Sequence, residues 1–142
     1  MWENILWWLF LGINAVTDLK NRRIYVWINV IFLLFFGILC YSKQEEGQDL
    51  FLLLAGILTG VYLLLFSFLP GESVGKGDGI VVTVGGFFVK EKNIWILMGG
   101  LFFLLLWGGI KILQRKATGK SEIPFVPFYA LSALLCSLGE VL

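Results

Sequence analysis

Residues 93–110 read NIWILMGGLFFLLLWGGI, a run without a single charged side chain. A helix that crosses a bilayer needs about 20 apolar residues. The uncharged runs at 24–42 and 50–71 meet that length, and those at 4–17, 79–89, 93–110 and 123–139 are shorter. Because 58% of the 142 residues are hydrophobic and only 15% are charged, the chain is too apolar for an ordinary soluble domain. The sequence predicts an all-α, polytopic membrane protein.

The apolar runs and the short polar connections between them predict a bundle of six transmembrane helices in a single domain, residues 1–142. The expected helices cover 2–18, 24–42, 50–69, 78–90, 93–113 and 123–140. The fourth apolar run, 79–89, would extend only about 16 Å as a helix, whereas a hydrocarbon core is about 30 Å thick. We therefore expect this helix to begin earlier and to draw Asp78 inward.

Lysines and arginines indicate the orientation of the bundle. The connections on one side of the membrane carry eight lysines and arginines, and those on the other side carry three. The side with eight is expected in the cytoplasm. Both termini then lie outside, in a multi-pass protein of the plasma membrane. The eight are Lys20, Arg22, Arg23, Lys76, Lys111, Arg115, Lys116 and Lys120, and the three are Lys43, Lys90 and Lys92.

Composition excludes several kinds of chemistry. The chain has no histidine, so Ser-His and Cys-His nucleophiles are absent, and Cys40 and Cys136 lie singly in apolar runs, far from any zinc-ligand spacing. We expect no metal and no organic cofactor. A formal charge of +1 gives no general attraction to nucleic acid. The amino terminus has Glu3 where a signal peptide would carry basic residues, so the first helix is expected to be retained.

Two acids stand out, because an ionisable group at membrane depth is costly and indicates function. Asp18 ends the first apolar segment, where an acid would face the negative end of the helix dipole. Asp78 opens the fourth segment, where an ordinary N-cap role is an equally good interpretation. The remaining acids lie in polar loops or near the termini, where solvation explains them.

The number of crossings places Asp18 and Asp78 on the same face of the membrane, which is the cytoplasmic face in the expected orientation. The first helix exits there, the second and third leave and return, and the fourth starts there. If helices one and four are neighbours, the carboxylates can share one site and hold a single proton between them. One would take a proton from an attacking water while the other donates to a peptide carbonyl, as in the aspartic-protease dyad.

Residues 71–82, GESVGKGDGIVV, also need testing as a phosphate-binding loop. A P-loop alignment on Gly75-Lys76 puts Pro70 at the first glycine and Gly77 at the required Ser or Thr. The dinucleotide fingerprint fails because Ile80 occupies its third glycine position. Nucleotide binding is therefore not expected. Gly75 and Gly77 instead let a loop turn tightly and let a substrate backbone approach Asp78.

The segments D18LKNRRI24 and G75KGD78, together with the last-helix start I123PFVPFYA130, resemble the type IV prepilin peptidases, the GxGD aspartyl proteases of membranes. The resemblance covers essentially the whole chain in the order and number of helices. It implies that Asp18 and Asp78 are the catalytic pair and that Gly75 and Gly77 shape the active-site loop. The implied substrates are prepilins or pseudopilins, whose basic leader is cut at the cytoplasmic membrane boundary before a hydrophobic helix.

Two departures from the family pattern qualify the resemblance. Ile80 stands where many members have a lysine, and the paired-cysteine part of longer members has no counterpart, so methylation is not expected. The compact form is similar to the peptidases of tight-adherence pili and to archaeal preflagellin enzymes. Two other functions remain open: a non-enzymatic relative or accessory subunit, and a small transporter. Transport is less favoured because no acid lies midway along a long span.

Overall fold

The computed structural model describes residues 2–42, 48–68, 75–114 and 123–139, and the described residues contain α-helix and no strand. The protein is all-α. A 3-10 turn at Lys90–Lys92 joins the fourth helix to the fifth. The helices are α1 (Trp2–Asn21), α2 (Val26–Ser42), α3 (Gln48–Phe66), α4 (Lys76–Val89), α5 (Asn93–Leu113) and α6 (Val126–Gly139).

The expected helices are all present, but several ends differ from the prediction. α4 begins at Lys76, so the expectation that it starts before the uncharged run is confirmed. α6 begins at Val126, three residues later than predicted. The amides of Phe128 and Tyr129 both donate to the carbonyl of Phe125, which makes that residue the start of the first turn. Pro127 fits there because the first amides of a helix have no partner within it.

α4 lies at the centre of the bundle and is built largely from small side chains. Its backbone approaches α3 most closely, and a Cβ added at Gly60 would collide with the backbone of Thr83. Gly56 and Gly86 are equally tight, since a Cβ on either would overlap the backbone of the opposing helix. Gly56 and Gly60, one helical turn apart on α3, therefore allow close contact between the two helices. Glycine is unfavourable inside a helix but lets two backbones meet.

An aromatic cluster joins α1 to α2 and α4. The ring of Trp7 stacks on that of Phe88 with centroids 5.1 Å apart, and Phe10 meets Phe36 edge-on at 5.6 Å. Trp7, Phe10 and Phe36 are buried, and Phe32 joins them. α1 and α4 are therefore neighbours, which was the condition for Asp18 and Asp78 to share a site.

A second set of contacts is polar and ties four helices together. The side-chain amide of Asn93 donates to the carbonyls of Gly56 and Val82 at 2.8 and 2.9 Å, and to the Thr59 hydroxyl. Its oxygen accepts a hydrogen bond from the hydroxyl of Tyr129, and both of these side chains are fully buried. Because every polar atom of Asn93 is satisfied, the residue holds α3, α4, α5 and α6 together at low cost.

Backbone contacts divide the helices into two groups. α1 and α5 lie against α6, and we call these three the α6 group; α2 and α3 lie against α4, and we call these the α4 group. Within the described residues, the helical stretch Lys76–Leu113 is long and apolar enough to cross a membrane, by length and composition. This stretch is broken at Lys90, whose φ of 51° lies in the left-handed region that non-glycine residues rarely adopt.

Candidate active site

Asp18 lies in the last turn of α1 with 6% of its surface exposed. Its position continues the buried face of the helix formed by Trp7, Phe10, Leu11 and Asn14. The Asp18 carboxylate accepts a hydrogen bond of 3.0 Å from the backbone amide of Val126, the first residue of α6, and a further one from the amide of Phe125. The acid that seemed misplaced at the end of α1 is therefore held at the positive end of another helix.

Asp78 lies in the first turn of α4, and the expectation that it is the N-cap is wrong. Gly75 is the N-cap, with an extended backbone at φ −68° and ψ 131°, and Asp78 is the third residue of the helix. Its backbone amide donates to the Gly75 carbonyl at 3.0 Å, and its carboxylate accepts from the Gly75 amide. This is the acidic half of a capping box, which satisfies one amide at the helix start.

The two carboxylates lie close enough for the charge of Asp18 to act directly on Asp78. They are sixty positions apart in sequence, and α1 and α4 bring them to the same end of the bundle. No lysine or arginine among the described residues forms an ion pair with either acid, since each is held by backbone amides. Two carboxylates whose charges act on each other hold one proton more readily than they ionise together.

Gly75 and Gly77 lie just before Asp78, and a side chain added at either position would require a neighbouring side chain to move. A Cβ on Gly75 would lie 2.9 Å from Oδ2 of Asp78. A Cβ on Gly77 would lie 2.8 Å from the Cβ of Ile24, in the connection between α1 and α2. Gly77 therefore sets how closely the start of α4 approaches the segment that follows Asp18. The role of these glycines in an active-site loop stays a prediction.

Sequence reasoning missed Gly79, the residue after Asp78. It is buried, and a Cβ there would lie 2.7 Å from the Cα of Leu64. The contact seats the first turn of α4 on the end of α3. A glycine directly after the acid, followed by Val81 and Val82 in the core, was the available signal.

Two buried asparagines below Asp18 were also missed. Asn14 lies one helical turn before Asp18 on α1, and its side-chain oxygen accepts a hydrogen bond of 3.0 Å from Asn29 of α2. The oxygen of Asn29 has no hydrogen-bond partner among the described residues, although the side chain is fully buried. Paired polar residues at matching depths in the first two apolar runs could have indicated this contact.

The end of the bundle that carries the aspartates is also the more basic of the two. Lys20, Arg22, Arg23, Lys76 and Lys111 lie there, against Lys90 and Lys92 at the opposite end. Lys43, Arg115, Lys116 and Lys120, which were also part of the predicted bias, lie outside the described residues. Lys76 and Lys111 rest on the rings of Phe68 and Trp107, at 4.7 and 5.1 Å from the ring centroids. Such contacts hold a cation beside an aromatic face.

A cavity of about 710 Å³ opens at the other end of the bundle, between the start of α1 and the ends of α4 and α6. Trp7, Ile96, Ala133 and Cys136 are among the residues that line it, and neither Asp18 nor Asp78 reaches it. Within the described part of the chain, no cluster of three or more His, Cys, Asp or Glu side chains could hold a metal ion. The aspartate pair is therefore the candidate site.

The chain matches no protein-family model, and it has no significant match among curated proteins or solved structures.

Proposed function

We propose that the protein is a membrane-embedded aspartic endopeptidase that removes the basic leader from prepilin-like proteins. One observation supports the proposal: Asp18 and Asp78, from different helices, lie at the same end of an apolar bundle, close enough for the charge of one to act on the other. The resemblance to type IV prepilin peptidases, in D18LKNRRI24 and G75KGD78, names the reaction and the substrate class. Catalysis by two carboxylates needs neither histidine nor a metal.

The distribution of polar and apolar side chains supports a bundle in a bilayer. Large apolar residues such as Leu34, Tyr62 and Leu105 are more than 60% exposed, whereas Asn14 and Asn29 are buried. In water this arrangement would be unfavourable, whereas in lipid it is expected. We therefore propose six membrane crossings in the plasma membrane, with both termini outside.

The basic end of the bundle would face the cytoplasm under this proposal, since positive charge is retained there. The dyad would then lie at the cytoplasmic boundary, where the leader of a prepilin meets its hydrophobic helix. Exposed apolar surface on the bundle would let that helix approach from the bilayer. The helix and its basic leader are the partners that we propose for this protein.

The reaction proceeds in two steps at the dyad. The ionised carboxylate takes a proton from water as the water oxygen bonds to the peptide carbonyl carbon, and the protonated carboxyl gives its proton to the carbonyl oxygen. The tetrahedral diol then collapses. The carboxyl that gained a proton donates it to the amide nitrogen, the C–N bond breaks, and a diol hydroxyl returns its proton to the other carboxylate.

The test is cleavage of candidate prepilins co-expressed with this protein, with leader removal measured by mass spectrometry. Asp18→Asn and Asp78→Asn should each lower cleavage by at least about 10²-fold. Glu91→Gln, which removes a carboxylate at the opposite end, is the matched control and should cleave normally. Both Asn variants should still insert and fold, as judged by gel filtration in detergent.

Each alternative function has its own result in this experiment. Processing by either purified Asn variant at the wild-type rate would rule out the dyad. Absence of cleavage by the wild-type protein on every prepilin tested would favour an accessory role. Ion flux through reconstituted liposomes that depends on Asp18 and Asp78 would favour transport.

A further inference from the structure

The two aspartates are held differently, and the difference bears on which of them acts as the base. Asp18 is buried and accepts hydrogen bonds from the amides of Val126 and Phe125. Asp78 is only partly buried and accepts from the single amide of Gly75. An ionised carboxylate can only accept hydrogen bonds, and bonds from amides to a charged acceptor are about twice as strong as neutral ones.

The Val126 amide has no other partner in the helix. It is the first amide of α6, and the first four amides of a helix have no acceptor within it. Phe128 and Tyr129, which follow, already donate to the carbonyl of Phe125. If Asp18 were neutral, the positive end of α6 would face a weak acceptor in a buried place, which costs free energy.

We propose that the first amides of α6 fix Asp18 as the ionised member of the dyad, so that Asp18 is the general base and Asp78 the proton donor. The inference rests on the proposed function and adds an assignment of roles within the site. Val126 is a positioning residue under this assignment, since its amide acts through Asp18. The side chain of Val126 contributes packing and no chemistry.

Other titratable groups near Asp18 do not compete for this role among the described residues. Asp78, from α4, is the group whose charge acts with that of Asp18. α2 presents the amide side chain of Asn29, and the first titratable group of α6 is Tyr129, whose hydroxyl donates to Asn93. Lys20, Arg22 and Arg23 at the end of α1 are exposed.

The amide can be removed at little cost to the helix. Val126→Pro lacks the N–H, and proline is favoured at the first position of a helix, where its fixed φ is suitable. Val126→Ala keeps the N–H and also removes side-chain packing, so it is the control for effects that do not come from the amide. A backbone ester at position 126, made by incorporating the α-hydroxy analogue of valine, removes the N–H while keeping the side chain.

The readout is the pH profile of kcat/KM for prepilin cleavage by purified protein. Its acid limb reports formation of the singly ionised dyad and its alkaline limb the loss of the second proton. If Asp18 carries the charge, losing the Val126 amide makes that first ionisation harder and leaves the second unchanged. Val126→Pro and the ester should therefore move the acid limb to higher pH by about one unit, the worth of one charged hydrogen bond.

The outcomes separate this assignment from the proposed function. An acid-limb shift in the proline and ester proteins, absent in Val126→Ala, supports Asp18 as the base. A shift of the alkaline limb alone assigns the proton to Asp18 and overturns the proposal. An unchanged pH profile also overturns the proposal. Failure of the proposed function gives a different result, since the wild-type protein would then show no cleavage at any pH. If Val126→Pro does not fold, the ester protein gives the same discrimination.

Discussion

Replacing Gly77 by alanine should misalign the dyad without unfolding the protein. The added Cβ would lie 2.8 Å from the Cβ of Ile24 and 2.9 Å from its Cδ1. Carbon atoms prefer separations of about 3.5–4.0 Å, so the first turn of α4 must move away from the α1–α2 connection by roughly 1 Å. Asp78 is the next residue and moves with that turn. A displacement of about 1 Å at a reacting group costs on the order of 10²-fold in rate.

The assay is the initial rate of prepilin cleavage, measured beside the folded fraction in detergent. Gly12→Ala is the matched control, because Gly12 lies on α1 with no atom within 4 Å of its added Cβ. Replacing Ile24 by glycine in the Gly77→Ala protein removes the atoms that collide and should restore most of the rate. Wild-type turnover by the Gly77→Ala protein would refute the steric argument, as would a loss that the second substitution leaves unchanged.

Three further results are expected. Gly60→Ala should lower the free energy of unfolding by about 1–3 kcal/mol, because the added Cβ meets the backbone of Thr83. Gly37→Ala is the control, since its added Cβ meets nothing within 4 Å and should not lower that free energy. Thermal unfolding in detergent compares the two variants. Tyr129→Phe should cost about 1–3 kcal/mol in the same assay, since it leaves the buried oxygen of Asn93 unpaired, and an unchanged melting temperature would contradict this. Cleavage by the wild-type protein should be bell-shaped in pH, because the dyad acts with one proton, and a rate that rises steadily with pH would contradict a shared proton.

The lengths of the uncharged runs and the positions of the charges were sufficient to predict the helices and the end of the bundle where the two aspartates lie. Long uncharged runs have few alternatives to helices, because a backbone surrounded by apolar side chains must satisfy its own amides. The crossing count then placed Asp18 and Asp78 at the same end of the bundle. Asp18 was also recognisable by itself, as an acid at the wrong end of a helix dipole.

The residues that contact the site residues could not be predicted from the sequence. Asp18 and Val126 are 108 positions apart, and nothing in either segment indicates which helix N-terminus will meet the acid. The true N-cap of α4 was missed because glycine has no side chain to mark the position. Contacts of Gly77 with Ile24 and of Gly79 with Leu64 depend on how three helices cross, which local pattern does not determine.

The division of the bundle into two groups has a consequence for how turnover responds to the bilayer. Asp18 belongs to the α6 group and Asp78 to the α4 group, so each carboxylate is carried by a different group of helices. A tilt of one group against the other would change the gap between the acids while leaving the hydrogen bonds of Asp18 and Asp78 intact, and it would strain the contacts of Asn93, which join the two groups. Under the proposed function, lipid thickness and lateral pressure would then affect the rate, and a hydrophobic substrate helix inserted between the groups would change the spacing of the two carboxylates.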